Sequence, residues 1–177
     1  RKPGALRAGS APGPGPALRG SDGQVTAIHL KQVVVTHHPG DHAYGLAAFA
    51  DIETIGHESL LTSLASEAAR TAALEQGLDP GQIALPSTRL AILGARDLGG
   101  LYVEIGHFGP AHTAGDLAVL VPSARVLFTG CLVEPGAPPH VPETTSLKKW
   151  PAAVAALRTP CPADPGLRPG TGPAGRA

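Results

Sequence analysis

Residues 33–35 are Val-Val-Val, and the polar string THHPGDH (36–42) follows without a gap. A short β-branched run with no polar alternation fits a strand buried on both faces. Such a strand needs a layer of structure on each side, and the strands interleaved with helices that surround it argue for a layered α/β sandwich. Further segments at 52–55, 88–93, 101–106, 117–121 and 126–129 read as strands, and 25–36 as the strand carrying the valine run. Turn signals stand at Asp97-Leu98-Gly99-Gly100 and Pro122-Ser123-Ala124-Arg125. Helices are predicted at 43–50, 58–76 and 147–157. In 58–76, Leu60, Leu61, Leu64, Ala65 and Ala68 share a face and Gly77 is the stop. Hydroxyls at Thr144 to Ser146 are available to cap the last helix. There is no internal repeat.

Composition sets the limits of the domain. Gly 23 and Pro 19 crowd into the ends, so 1–24 reads as a disordered arm and 159–177 as a Pro/Gly-rich tail, leaving 25–158 as the folded domain. Aromatic content of 3% means a core of Val, Leu, Ile and Ala. Lys+Arg 14 balances Asp+Glu 14, which gives no electrostatic basis for binding nucleic acid or an anionic membrane. Cys131 and Cys161 do not make a disulfide framework. No stretch approaches the ~18–20 apolar residues of a membrane span, and the basic start lacks an apolar signal core. These features are read as those of a soluble, cytoplasmic chain. With Met 0, the sequence reads as a fragment or processed product.

Three strand ends carry ligand-type residues. His37, His38, Asp41 and His42 follow the valine run, where layered α/β proteins place their sites. Imidazole nitrogen and carboxylate oxygen hold Zn²⁺ at roughly 2.0–2.2 Å. The loop GHFGPAHTAGD (106–116) carries His107 and His112, and RVLFTGCLVEPG (125–136) carries Cys131. A thiolate is a strong zinc ligand, although a lone cysteine is more often simply buried.

Taken in order, THHPGDH (36–42), GPAHTAGD (109–116) and VLFTGCLVEPGAPP (126–139) resemble the metallo-β-lactamase superfamily of zinc hydrolases. That family shows T-H-x-H-x-D-H, then G-P-x-H-T-x-G-D, then a strand ending F-x-G-D. GHES (56–59) and KKWPAAVAAL (148–157) look like family segments too. The resemblance implies an αββα sandwich with one or two zinc ions at the sheet edge. The resemblance also implies that water activated there attacks an ester, amide, thioester, lactone or phosphoester bond of a small-molecule substrate. It places His37 and His112 at the first zinc site and Asp41 and His42 at the second, with Asp41 also orienting the attacking water. Cys131 falls where most members have a bridging Asp. Some β-lactamases of the family carry a ligating Gly-Cys here.

Three positions depart from the pattern. Pro39 stands where the second motif histidine belongs, and proline has no side-chain donor. Thr171, in PGTGP (169–173), stands where the family has the last histidine ligand. Residues 1–24 show no match to the strands that normally open the fold, so the sandwich is expected to be incomplete at its N-terminus. Asp41, His42 and Cys131 plus a water, with His112 recruited, is then the expected zinc arrangement. The competing reading is a degenerate or truncated, non-catalytic member with weakened metal binding. A structural zinc module fits less well, because its ligands normally lie at short spacings. His57 reads as a packing residue before the long helix, and His29 as part of the first strand. His140 is placed at a substrate pocket, Trp150 as a helix anchor, Glu134 as solvated and Lys148-Lys149 as a charged face.

Overall fold

A computed structural model describes residues 29–134 and 138–158, together with the backbone of Ala5–Ala8, Gly166–Pro169 and Gly175–Arg176. The strands are β1 (Ala5–Ala8), β2 (Leu30–Val34), β3 (Glu53–His57), β4 (Thr88–Leu90), β5 (Leu93–Asp97), β6 (Tyr102–His107), β7 (Leu117–Val121), β8 (Val126–Gly130), β9 (Gly166–Pro169) and β10 (Gly175–Arg176). The helices are α1 (Gly40–Ala43), α2 (Leu60–Leu64), α3 (Glu67–Glu75) and α4 (Trp150–Leu157). Strands β1-β2-β3-β4 form an all-parallel sheet. The second sheet runs β10-β9-β8-β7-β6-β5 and is antiparallel except where β8 meets β9.

The valine triplet shows how the layers are bonded together. Val34 faces the other sheet, packing with Ile55, Val103, Ile105, Leu117, Val119 and Val121. Val33 and Val35 face outward onto Leu46, Phe49, Leu60 and Leu64 of the helical layer. Strand β7 divides the same way: Ala118 and Leu120 turn outward to Leu127, Leu132, Ala153 and Leu157. The order is therefore helices, sheet, sheet, helix; β7 is apolar along its whole length and β2 over Val33-Val34, where neither face meets water.

Several elements differ from expectation for identifiable reasons. The 88–93 strand is two strands: β4 belongs to the first sheet and β5 to the second, with the chain crossing at Ala91-Ile92. The 58–76 helix breaks at Ala65-Ser66. Ser66 Oγ accepts from Ala69 N at 3.1 Å and donates to Ser63 O at 2.7 Å, so a hydroxyl replaces continued helical pairing. The break resets the buried face to Leu60, Leu64, Ala69 and Ala73, leaving Ala65 and Ala68 exposed. Gly77 does end α3, at φ +72°. The 43–50 helix is a 3₁₀ turn over Tyr44–Phe49 following α1. Helix α4 starts at Trp150 with no side-chain cap, and Thr145 is committed elsewhere, donating to His112 O at 2.7 Å.

The terminal segments contribute backbone strands despite their composition. Ala5–Ala8 pairs in parallel with β2, and Gly166–Pro169 pairs in parallel with β8. Ladder pairing uses backbone donors and acceptors, which a Pro/Gly-rich segment retains at its non-proline positions. Thr171 and Cys161 lie outside the described residues. Among the described residues no helix is long and apolar enough to cross a membrane.

Candidate metal centre

The ends of β2, β7 and β8 meet at one edge of the sandwich. Leu117 N donates to Thr36 O at 2.8 Å, tying the first sheet to the second immediately before His37. Gly130 closes the other side. Its φ is +55°, and a Cβ there would lie 3.0 Å from Thr36 Cβ and 3.5 Å from His37 Nδ1. Only a residue without a side chain lets β8 turn this close to β2.

This convergence brings His37, His112 and Cys131 together. One donor atom of each lies within 4.8 Å of the others, and all three residues are buried. Thr36 Oγ1 pairs with His37 Nδ1 at 2.8 Å, which leaves Nε2 for the centre of the cluster. His37 Nε2 and His112 Nδ1 are buried and have no hydrogen-bond partner among the described residues. Two orphaned imidazole nitrogens beside a thiol are costly in an apolar interior. A zinc ion satisfies all three. In a tetrahedral zinc shell donors bound at about 2.0–2.3 Å stand about 3.3–3.8 Å apart, so three donors within 4.8 Å of one another need draw in by only about an ångström. The donor set therefore fits the metal.

His42 and Asp41 flank the cluster. His42 is buried, its ring 3.9 Å from that of His37, and Nε2 lies 3.3 Å from Cys131 Sγ. The same Nε2 is 3.2 Å from Asp41 Oδ2, whose side chain is 53% exposed. Nε2 therefore carries the hydrogen, and His42 Nδ1 is the buried atom left unpaired among the described residues. The cluster thus joins two histidines of one family site to the cysteine of the other, with the expected His42 and Asp41 beside it. His38 stays half-buried outside the cluster and feels Glu143. Pro39 caps the start of α1. His140 is exposed on the rim, 6.4 Å from the His112 ring.

The electrostatics follow from burial. Desolvation holds His37 well below its usual pKa, and neighbouring His42 and His112 add to this. Desolvation lowers His112 to about 4. Both rings are therefore neutral, the form that ligates metal. Burial, then Glu134, pushes the Cys131 thiol up, so a cation is needed to make it a thiolate near neutrality. Glu134 is accordingly no solvated bystander: it is partly buried and hydrogen-bonds Cys131. Its signal in the sequence is only its place three residues after Cys131 in a turn. The hydrogen bond from His42 is the main cause that keeps Asp41 below the normal carboxylate range.

A supporting shell holds the ligand-bearing loops in place. Asp116 accepts from Thr113 N at 2.7 Å and Thr113 Oγ1 at 2.8 Å, closing the His112 loop on itself. Trp150 packs its ring 5.5 Å from His112 and donates Nε1–H to Leu132 O at 3.0 Å, bracing two ligand-bearing loops at once.

A profile described as the metallo-beta-lactamase superfamily matches residues 12–174. The chain belongs to that superfamily. Among solved members, a metallo-beta-lactamase from Pontibacter korlensis superposes with a TM-score of 0.72 at 25% identity, over 98% of this chain and 77% of that one. One from Erythrobacter litoralis gives 0.58 at 21%, over 85% and 64%, a likeness of fold. A hydroxyacylglutathione hydrolase of Cereibacter sphaeroides is 29% identical over 119 residues, 67% of this chain. That match spans only 39% of the hydrolase's own length. Superfamily membership agrees with the two-sheet sandwich, its helices on the outer faces and its ligand residues at the strand ends.

Proposed function

We propose that this superfamily member is a zinc-dependent hydrolase with one zinc held by His37, His112 and Cys131. The observation that carries the reading is the meeting of these three buried donors, two of them with ring nitrogens that have no partner among the described residues. Bound zinc lowers the pKa of water toward about 7 and polarises an electrophilic carbonyl or phosphoryl group. The chain's own residues do the rest. Thr36 holds the His37 tautomer. Asp41, half-exposed and ionised, sits where it can accept a proton from an incoming nucleophile, steadied by His42. His140 lines the open side.

Substrates of ester, thioester, lactone or amide type fit this reading, and the hydroxyacylglutathione hydrolases add weight to a thioester. The test is zinc content with hydrolysis of nitrocefin, a lactone, an acylglutathione and a phosphodiester. About one tightly held equivalent of zinc with metal-dependent turnover supports the proposal. Zinc bound without turnover favours the second reading, a non-catalytic member, which Pro39 at a ligand position supports. Turnover rising strongly in Pro39→His with Thr171→His then identifies an eroded hydrolase centre.

A further inference from the structure

His57 and His107 lie outside the metal cluster and take no part in the chemistry above. His57 ends β3 in the first sheet and His107 ends β6 in the second. Their rings stack 4.1 Å apart with a 36° tilt. Ser59 N donates to His57 Nδ1 at 3.2 Å, so the hydrogen sits on Nε2, which faces Ala91 O at 3.2 Å. His107 holds its hydrogen on the other nitrogen: Nδ1 donates to Asp116 O at 3.0 Å.

Gly115, in the His112 loop, sits directly on this pair. A Cβ at Gly115 would lie 2.7 Å from His57 Nδ1 and closer still to Ser59 Oγ. From there contacts run continuously to the metal cluster. Asp116 offers its carbonyl to His107 and its carboxylate to Thr113, the residue after His112. Gly115 N adds a bond to Thr113 Oγ1 at 3.2 Å. The loop is held from the opposite side by Thr145 on His112 O and by Ser146 N on Ala111 O.

We propose that His57 and His107, with Ser59, form a buttress spanning both sheets that seats Gly115-Asp116 and so positions His112 for zinc. They are positioning residues, not ligands, and the zinc part of the inference rests on the reading above. Partners of a metal ligand typically contribute about 10–100-fold to affinity, and the buttress is assigned that range.

The experiment compares wild type, His57→Ala, His107→Ala, His107→Asn and Gly115→Ala by two readouts. The first is hydrogen exchange at Thr113 and Gly115 in metal-free protein. The second is zinc affinity by chelator competition. Both alanine variants at the histidines and Gly115→Ala are expected to speed loop exchange and weaken zinc by about 10–100-fold. His107→Asn, which places an N–H where Nδ1 stood, is expected to retain wild-type values. Should a histidine variant fail to fold, Gly115→Ala carries the same test with every polar group retained. Unchanged loop exchange and zinc affinity in the folded variants overturn the proposal, even if thermal stability falls, because that is bulk packing alone. A loss in His107→Asn as large as in His107→Ala also overturns it. If wild type binds no zinc, the zinc reading fails, and loop exchange alone decides the buttress.

Discussion

His112 shows how one side chain sets a measurable pH dependence. In the fold it stays neutral down to about pH 4, while the unfolded chain takes a proton near 6.5. Between those values the unfolded state binds more protons, so metal-free stability falls as pH drops through the window. His37, lowered further by burial, acts in the same direction. Asp116, raised to about 6 by desolvation, opposes them, since it favours the folded state at lower pH. The two histidines outweigh one aspartate, and the metal-free melting temperature is expected to fall from pH 6.5 toward 4, less steeply in His112→Asn. Thermal melts in chelator across that range check it. The single tryptophan offers a second handle. Trp150 lies 5.5 Å from His112, so zinc binding should change intrinsic fluorescence, and Trp150→Phe should abolish that signal. Cys131→Ser removes the thiolate donor. It is expected to weaken zinc by more than about 100-fold, beyond the cost of losing a supporting partner, as chelator competition would show.

At the scale of elements, the chain's own punctuation explains both what was readable and what was not. The valine run and β7 were legible because burial on both faces leaves an uninterrupted apolar signature, and β8 through its apolar start Val126-Leu127-Phe128. The split of 58–76 was not, since what marks Ser66 off from an ordinary helical serine is its extended backbone and its two hydrogen bonds, neither of which shows in the residue type. Ser66→Ala should therefore cost about 1 kcal/mol, read as a lower urea midpoint. The sheet change at Ala91-Ile92 left no mark either, because both halves keep strand-like composition. Gly130 is a stronger case. Alanine there meets both a left-handed φ and the Thr36 side chain, and is expected to weaken zinc binding along with stability. His37, His112 and Cys131 were legible as ligand types through their strand-end motifs. Their grouping was not, because it depends on Gly130 and on the Thr36–Leu117 link between sheets.

For the whole molecule, the proposed zinc joins three separate strand ends belonging to both sheets. A ligand bound only by the folded state stabilises it by about 2.7 kcal/mol at a hundred times its Kd. For a chain of this size that is a rise in melting temperature of roughly 5–10 °C. Loss of that rise in Cys131→Ser would show that the metal acts through this edge. The most direct test is X-ray absorption at the zinc edge of the reconstituted protein. One sulfur at about 2.3 Å with nitrogen neighbours at about 2.0–2.1 Å is the predicted shell, and the sulfur should vanish in Cys131→Ser. A shell of nitrogen and oxygen alone in the wild type would contradict the account.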